Sequence, residues 1–171
     1  MKHQITKSKH RMMKNRRSKK RKNKHLGPQF LRFMGVNAAG LGSKLLSFRN
    51  VLEKLGPCVV FVEETKFVGD KTIEFEGYEV YLKNRANCEG GGGVLLAVKK
   101  KLQPALVRDG GDEVEALSVD ITTYEINVRC VVAYGCQESD KVNKKDDFWS
   151  YLDEEVTEAA SNDTGFVLQF D

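Results

Sequence analysis

Asn37, Glu64 and Asp171 each stand where an apolar run stops: residues 31–36 run into Asn37, residues 58–62 into the pair Glu63 and Glu64, and residues 166–170 into Asp171. Together these side chains offer one amide and two carboxylates, a ligand set of oxygens with no imidazole or thiolate. Such a set suits a hard divalent cation such as Mg2+, which is the usual partner of phosphate chemistry. Apolar runs of this length bounded by turn formers read as buried strands, and in layered α/β proteins the ends of such strands line the ligand crevice. The three groups are therefore expected to converge on one site. Strands also end at the surface, where polar residues are ordinary, so no single one of the three carries the reading; their coincidence does. Tyr134, after the run 128–133, is a fourth polar group at a strand end. Its competing role is that of a rim tyrosine packed against a helix.

The elements that must position these groups follow from periodicity. A strand over 30–36 leads into a turn with Gly40 and Gly42, and Ser43 is placed to cap a helix in which Leu45, Leu46, Phe48, Val51, Leu52 and Leu55 recur at helical spacing. Gly56-Pro57 ends that helix. The strand 58–63 is continuously apolar up to its last residue, hence buried on both faces, and strand, helix, strand over about 30 residues is a β-α-β unit. Glu63 and Glu64 are adjacent, so on a strand they point to opposite faces, and Glu64 is expected to face the site. Short strands follow at 78–82, 93–99, 102–107, 116–121 and 125–134, with 122–124 turning the last pair into a hairpin. A second helix over 146–160 carries the stripe Phe148, Trp149, Tyr151, Leu152 and Val156, and a strand over 165–170 comes last. This order predicts an α/β (α+β) sandwich of two packed mixed sheets flanked by helices. A strand that ends on the final residue reads as a domain cut on its C-terminal side.

Charge divides the chain in two. The first 28 residues hold 12 of the 28 Lys and Arg, none of the 24 Asp and Glu, and all 3 His. Residues 1–28 are therefore expected to be a disordered basic tail, and 29–171 a truncated domain. The body has no histidine, which excludes imidazole-dependent chemistry within it. Arg16, Arg17, Lys19, Lys20, Arg21 and Lys22 form the densest part of the tail and suit a nonspecific nucleic-acid arm or a nuclear import signal, with a plain solvated tail as the alternative. The tail lacks the apolar segment of a secretory signal, and no stretch of the chain approaches a membrane span. Cys58, Cys88, Cys130 and Cys136 show no metal-binding spacing and read as reduced thiols of an intracellular protein. Gly90-Gly91-Gly92-Gly93 precede a strand, whereas a phosphate loop follows one and opens a helix, so they read as a flexible approach to an edge strand. The acidic stretch 109–115 reads as a solvated loop.

Val36-Asn37-Ala38-Ala39-Gly40-Leu41, followed by Val60-Phe61-Val62-Glu63-Glu64-Thr65-Lys66, resembles the N-x-x-G-L and L-Q-E-T-K signatures of the endonuclease/exonuclease/phosphatase superfamily. Gly91-Gly92-Gly93-Val94, Val132-Ala133-Tyr134-Gly135, Phe148-Trp149-x-x-Leu152 and Leu168-Gln169-Phe170-Asp171 are similar to its later landmarks, in the same order. The set looks most like the AP-endonuclease-like endonuclease domains of non-LTR retrotransposons. The resemblance implies that Asn37 orients phosphate and metal, that Glu64 binds Mg2+ or Mn2+, that Tyr134 contacts the scissile phosphate, and that Asp171 orients the attacking water. In-line attack on a phosphodiester needs such a water and a cation to neutralise the equatorial oxygens. Ala39 stands where many relatives carry Asp, Glu63 replaces a Gln, and Cys136-Gln137 replaces Pro-Asn; the D-x-N asparagine and the S-D-H motif would fall beyond Asp171. The implied function is an Mg2+-dependent endonuclease that nicks DNA in the nucleus, as in retrotransposon target-site cleavage, with this stretch expected to be inactive alone. An AP endonuclease or a phosphoinositide phosphatase of the same fold is the second enzyme reading. A basic-tailed nucleic-acid-binding remnant without catalysis is the non-enzyme one.

Overall fold

The computed structural model describes residues 30–85, 92–123, 125–135 and 142–170. The chain divides into two units, Met1–Phe30 and Leu31–Asp171, and all the elements below belong to the second. Val, Ile, Leu and Phe dominate the strand runs because branched and aromatic side chains pack well on a pleated surface. They form β1 (Phe33–Asn37), β2 (Val59–Glu63), β3 (Tyr78–Lys83), β4 (Val94–Lys99), β5 (Ala105–Arg108), β6 (Ala116–Thr122), β7 (Asn127–Ala133) and β8 (Gly165–Phe170). The helices are α1 (Leu45–Leu55) and α2 (Val142–Ser161).

One sheet has the order β1-β2-β4-β3 and the other β5-β6-β7-β8. In each, a single pair is parallel: β1 with β2 through the helical crossover of α1, and β7 with β8 through α2. The remaining pairs are antiparallel, so the expected pair of mixed sheets is the one found. Alternation along the strands sorts the apolar residues into layers. Val59, Phe61, Leu96, Val98, Leu117, Val119, Ile121, Cys130 and Val132 fill the space between the sheets. Val60, Val62, Leu95 and Ala97 meet Phe48 and Leu52 of α1 on one outer face, and Ala116, Val131 and Ala133 meet Phe148, Tyr151 and Leu152 of α2 on the other. All five residues of β2 are buried, as its unbroken apolar run requires. Cys58 and Cys130 are buried free thiols, as expected, while Cys88 and Cys136 lie outside the described residues.

Several boundaries depart from the sequence expectation. Ser43 is not the cap of α1, because residues Gly42–Lys44 wind into a 3-10 turn first and no side chain caps the helix that follows. Gly56 does end α1, in the left-handed conformation (φ 54°), with its N–H donating to the Leu52 carbonyl at 2.8 Å. The strand expected over 102–107 begins at Ala105 instead, since Lys100–Leu102 form a 3-10 turn and Pro104 has no N–H for a ladder. The glycines lead into β4, which is an inner strand and not an edge, so their backbone has a different duty from the expected flexible approach.

The stripe of α2 also differs. Trp149 and Val156 are exposed, and the buried positions are Phe148, Tyr151, Leu152, Glu155 and Ala159. A glutamate can occupy this face because the sheet beneath it is charged: Ser118 Oγ donates to Glu155 Oε2 at 2.5 Å, Arg129 Nη1 donates to the same oxygen at 3.2 Å, and Arg108 Nε lies 3.2 Å from Oε1. Arg129 also reaches its cross-strand neighbour Asp120 with Nε at 2.9 Å and Nη2 at 3.0 Å, a bidentate pair that holds its guanidinium in place. These contacts raise the Arg129 pKa further above its ordinary value, chiefly through the bond to Asp120.

Candidate active site

β1 and β2 run parallel and in register, with Asn37 paired to Glu63, so both strands end at the same edge of the sheet. Glu63 keeps the parity of Val59 and Phe61 and is buried, 1% exposed. The next residue does not simply take the opposite face. Glu64 leaves the strand with φ 49°, and Lys66 follows with φ 54°, left-handed values unusual for residues with a side chain. The bend is fixed by backbone bonds: Gly40 N–H donates to the Glu64 carbonyl at 2.8 Å, Thr65 N–H to Gly93 O at 3.0 Å, and Lys66 N–H to Gly92 O at 3.0 Å. Ala39, with φ 44°, is strained in the same way on the facing loop. Strain of this kind persists where the surroundings over-determine it and clusters at functional sites.

The consequence is that Asn37 and Glu64 meet, as expected. Asn37 Nδ2 donates to Glu64 Oε1 at 3.1 Å, and the Ala39 N–H donates to Asn37 Oδ1 at 2.9 Å, which fixes the orientation of the amide. Lys66 Nζ lies 3.5 Å from the other carboxylate oxygen, Glu64 Oε2. The oriented amide turns its N–H to the carboxylate and its oxygen to the Ala39 N–H, so the Glu64 carboxylate, pointing out of a strained bend, is the hard oxygen donor of the pair. The sheets also meet here: a Cβ on Gly35 of β1 would lie 2.4 Å from Gln169 Oε1, so the glycine makes room for a side chain from the end of β8. Asp171, two residues on, lies outside the described residues, as do Arg16, Arg17, Lys19, Lys20, Arg21 and Lys22.

Tyr134 packs at the margin of the layer between the sheets. Its N–H donates to the Glu115 carbonyl at 2.8 Å, and the Arg85 guanidinium carbon sits 5.5 Å from its ring centroid. Glu115 had been expected in a solvated loop. Its carboxylate instead takes the Gly93 N–H at 2.7 Å on Oε2 and Arg85 Nε at 2.5 Å on Oε1. The Gly92-Gly93 pair, bonded on one side to the Glu64 loop and on the other to Glu115, thus links the two parts of the site. Gly92 (φ 96°) and Gly93 (φ 77°) must be glycines: a Cβ would fall 2.3 Å from Arg85 Nε in the first case and 2.5 Å from Thr65 Oγ1 in the second. A cavity of about 500 Å³ opens beside this rim, lined by Lys83, Arg85, Glu115 and Lys144 among others. Burial pulls the Lys83 ammonium pKa down, an effect opposed by Asp109, Asp112 and Glu115. Arg85 and Glu115 are the two residues at this site that sequence reasoning missed; neither stands in a motif, and their pairing spans 30 residues.

The donor chemistry fits a magnesium ion in one specific manner. Among the described residues no three Asp, Glu, His or Cys side chains gather into a metal cage. Mg2+ keeps several waters and is held by one or two carboxylates together with substrate phosphate, so Glu64 with Asn37 beside it meets the requirement for part of its shell.

No protein-family model matches the sequence, and no curated protein matches it. Solved structures share its fold. An AP endonuclease from Leishmania major is 19% identical with a TM-score of 0.60 over 82% of this chain and 54% of its own. A 3′ phosphatase from Neisseria, solved with a product DNA hairpin, is 19% identical with a TM-score of 0.59 over 83% of this chain and 57% of its own. The endonuclease domain of a telomere-specific non-LTR retrotransposon is 14% identical with a TM-score of 0.57 over 83% of this chain and 58% of its own. The fold expected from the sequence resemblance is therefore the fold these proteins share, and the chain spans a little over half of their length.

Proposed function

We propose that this chain carries part of the active site of an Mg2+-dependent phosphodiesterase that nicks DNA, of the kind used to open a retrotransposon target site. The observation that carries the reading is the Asn37–Glu64 pair, 3.1 Å apart at two parallel strand ends and held by strained loops that bond to one another. Glu64, with Asn37 beside it, would hold the metal, which supplies charge neutralisation to the phosphate oxygens when bound. The residues themselves do the rest. Asn37, with its amide oriented by the Ala39 N–H, presents a fixed dipole to a phosphate oxygen. Tyr134 presents its phenol to the scissile phosphate from the opposite strand end, and Asp171 orients the attacking water. DNA as substrate is supported by the fold neighbours, one of which was solved with a DNA product. In this reading Arg16, Arg17, Lys19, Lys20, Arg21 and Lys22 form the nonspecific arm that brings the chain to DNA in the nucleus.

The test is a metal titration followed by a substrate panel. Mg2+ should raise the thermal midpoint of the chain, and Glu64→Ala should abolish the rise while leaving the metal-free midpoint within a few degrees. Mn2+ should act in the same way. Mg2+-dependent binding of supercoiled plasmid, an abasic oligonucleotide or an inositol phosphate, read without turnover, then separates the DNA-nicking reading from the two alternatives of the same fold. A chain whose midpoint is indifferent to Mg2+, or equally responsive with Glu64 removed, refutes the proposal.

A further inference from the structure

We infer that Glu115 is a positioning residue that builds the phosphate-binding rim by clamping Arg85 onto Tyr134, so that the rim recognises a nucleic-acid phosphodiester through a guanidinium as well as a phenol. The inference rests on the phosphodiesterase reading and adds two residues to it. Glu115 stands just before β6 and bonds to the ends of three other strands. Its Oε1 holds Arg85, beyond the end of β3, with Nη2 and Nε both at 2.5 Å. Its Oε2 accepts the Gly93 N–H at 2.7 Å, at the start of β4, and its carbonyl accepts the Tyr134 N–H at 2.8 Å, at the end of β7. One residue thereby ties the ends of β3 and β4 in the first sheet to the ends of β6 and β7 in the second.

A carboxylate beside a polyanion site needs a reason, because its own charge repels the substrate. Here the charge is spent on a guanidinium and a backbone amide, and the effect is to hold the Arg85 guanidinium against the Tyr134 ring. The Glu115 and Arg85 side chains are only 19% and 23% exposed, so the pair is not a freely solvated surface contact. The guanidinium faces the Tyr134 ring at 5.5 Å, and planar guanidinium is the group best matched to phosphate oxygens. Gly92, at a φ of 96° that side chains rarely adopt, leaves the space that the Arg85 guanidinium occupies. Lys83 and Lys144 line the same cavity with Asp112, and the Lys83 ammonium donates to the Asp109 and Gly111 carbonyls.

The experiment uses the full chain with Mg2+ and a thymidine dinucleotide phosphodiester as the probe, read by NMR at the Arg85 side chain and the Tyr134 ring. In the wild type the Arg85 Hδ protons should be shifted upfield by the ring, and the dinucleotide should perturb both residues. Glu115→Gln keeps the size and the acceptor for Gly93 but loses the charge. It should remove the ring-induced shift of Arg85 and weaken dinucleotide binding about tenfold, as expected for a charge-assisted bond. Arg85→Lys, which keeps the charge but not the fork, should weaken binding similarly and serves where Glu115→Gln does not fold. An unchanged Arg85 shift or unchanged affinity in the folded variants overturns the proposal. So does a wild-type chain in which the dinucleotide perturbs neither residue. Failure here with an intact Glu64-dependent Mg2+ response leaves the phosphodiesterase reading standing; loss of the Mg2+ response with an intact Arg85 signature defeats that reading and spares the clamp.

Discussion

Replacing Glu155 by alanine should destabilise the chain by about 3 kcal/mol. The side chain is fully buried at 0% exposure, and it is the point where Ser118, Arg108 and Arg129 meet between α2 and its sheet. Removing one partner of a buried ion pair costs about 3–5 kcal/mol because the survivor is left as an uncompensated charge. The lower end applies here, since Arg129 retains its two bonds to Asp120 and Arg108 retains Glu154 and Glu158. For a chain of this size that loss lowers the thermal midpoint by about 6–12 °C. Glu155→Gln keeps the volume and an acceptor for the Ser118 hydroxyl, so it should cost about half as much, near 1.5 kcal/mol. Urea denaturation followed by far-ultraviolet circular dichroism measures both, with the slope of the transition reporting whether the unfolded state has changed. An alanine variant within about 0.5 kcal/mol of the wild type would show that water reaches this network and screens it, and the account of how α2 is held would be wrong.

Other consequences are as concrete. Gly93→Ala should cost about 2 kcal/mol or more, from a left-handed φ of 77° and a Cβ placed 2.5 Å from Thr65 Oγ1, whereas Gly69→Ala, with φ 61° and nothing within 4 Å, should show the conformational cost alone, about 1 kcal/mol; equal losses in urea titrations would contradict the packing argument. Burial pushes the Cys130 thiol up to about 12, with the Asp120 charge adding to it. The folded state therefore favours the protonated thiol, and its contribution to stability is complete below the unfolded pKa of about 8.5–9 and is lost as pH rises toward 12. Urea midpoints measured from pH 8 to 11 should fall over that window, and Cys130→Ala should flatten the fall; a midpoint that rises would contradict the sign. Deleting residues 1–28 should weaken nonspecific DNA binding and flatten the dependence of log K on log salt by about 5, if about six phosphates are neutralised, and an unchanged slope in fluorescence anisotropy would remove the arm from the account.

Much of the scaffold could be read from local pattern. The continuous run of β2 announced a strand buried on both faces, and that is where it lies. Gly56 marked the end of α1 because no other residue adopts its left-handed turn without cost. The β-α-β order fixed the parallel pairing of β1 and β2, which delivers Asn37 and Glu64 to the same edge. What failed was local reasoning about polar residues with distant partners. Ser43 looked like a cap, yet the chain tightened into a 3-10 turn before the helix began. Glu155 stood where periodicity wanted an apolar residue, and its reason lies 26 and 37 residues away on Arg129 and Ser118.

The order of apolar runs, their lengths and the turn residues between them determined the layers of this protein and the strand ends at which Asn37 and Glu64 stand, because burial and backbone geometry act on neighbours in the chain. The tertiary structure decided how Glu64 comes to meet Asn37. Glu63 is carried into the interior by strand parity, while a left-handed bend, bonded to glycines almost 30 residues further on, turns Glu64 out to Asn37. It also decided that Glu115, one acid among several in a polar stretch, grips Arg85 and frames Tyr134. Charge pairs and hydrogen bonds across the sandwich depend on distances in space, and sequence spacing does not encode them.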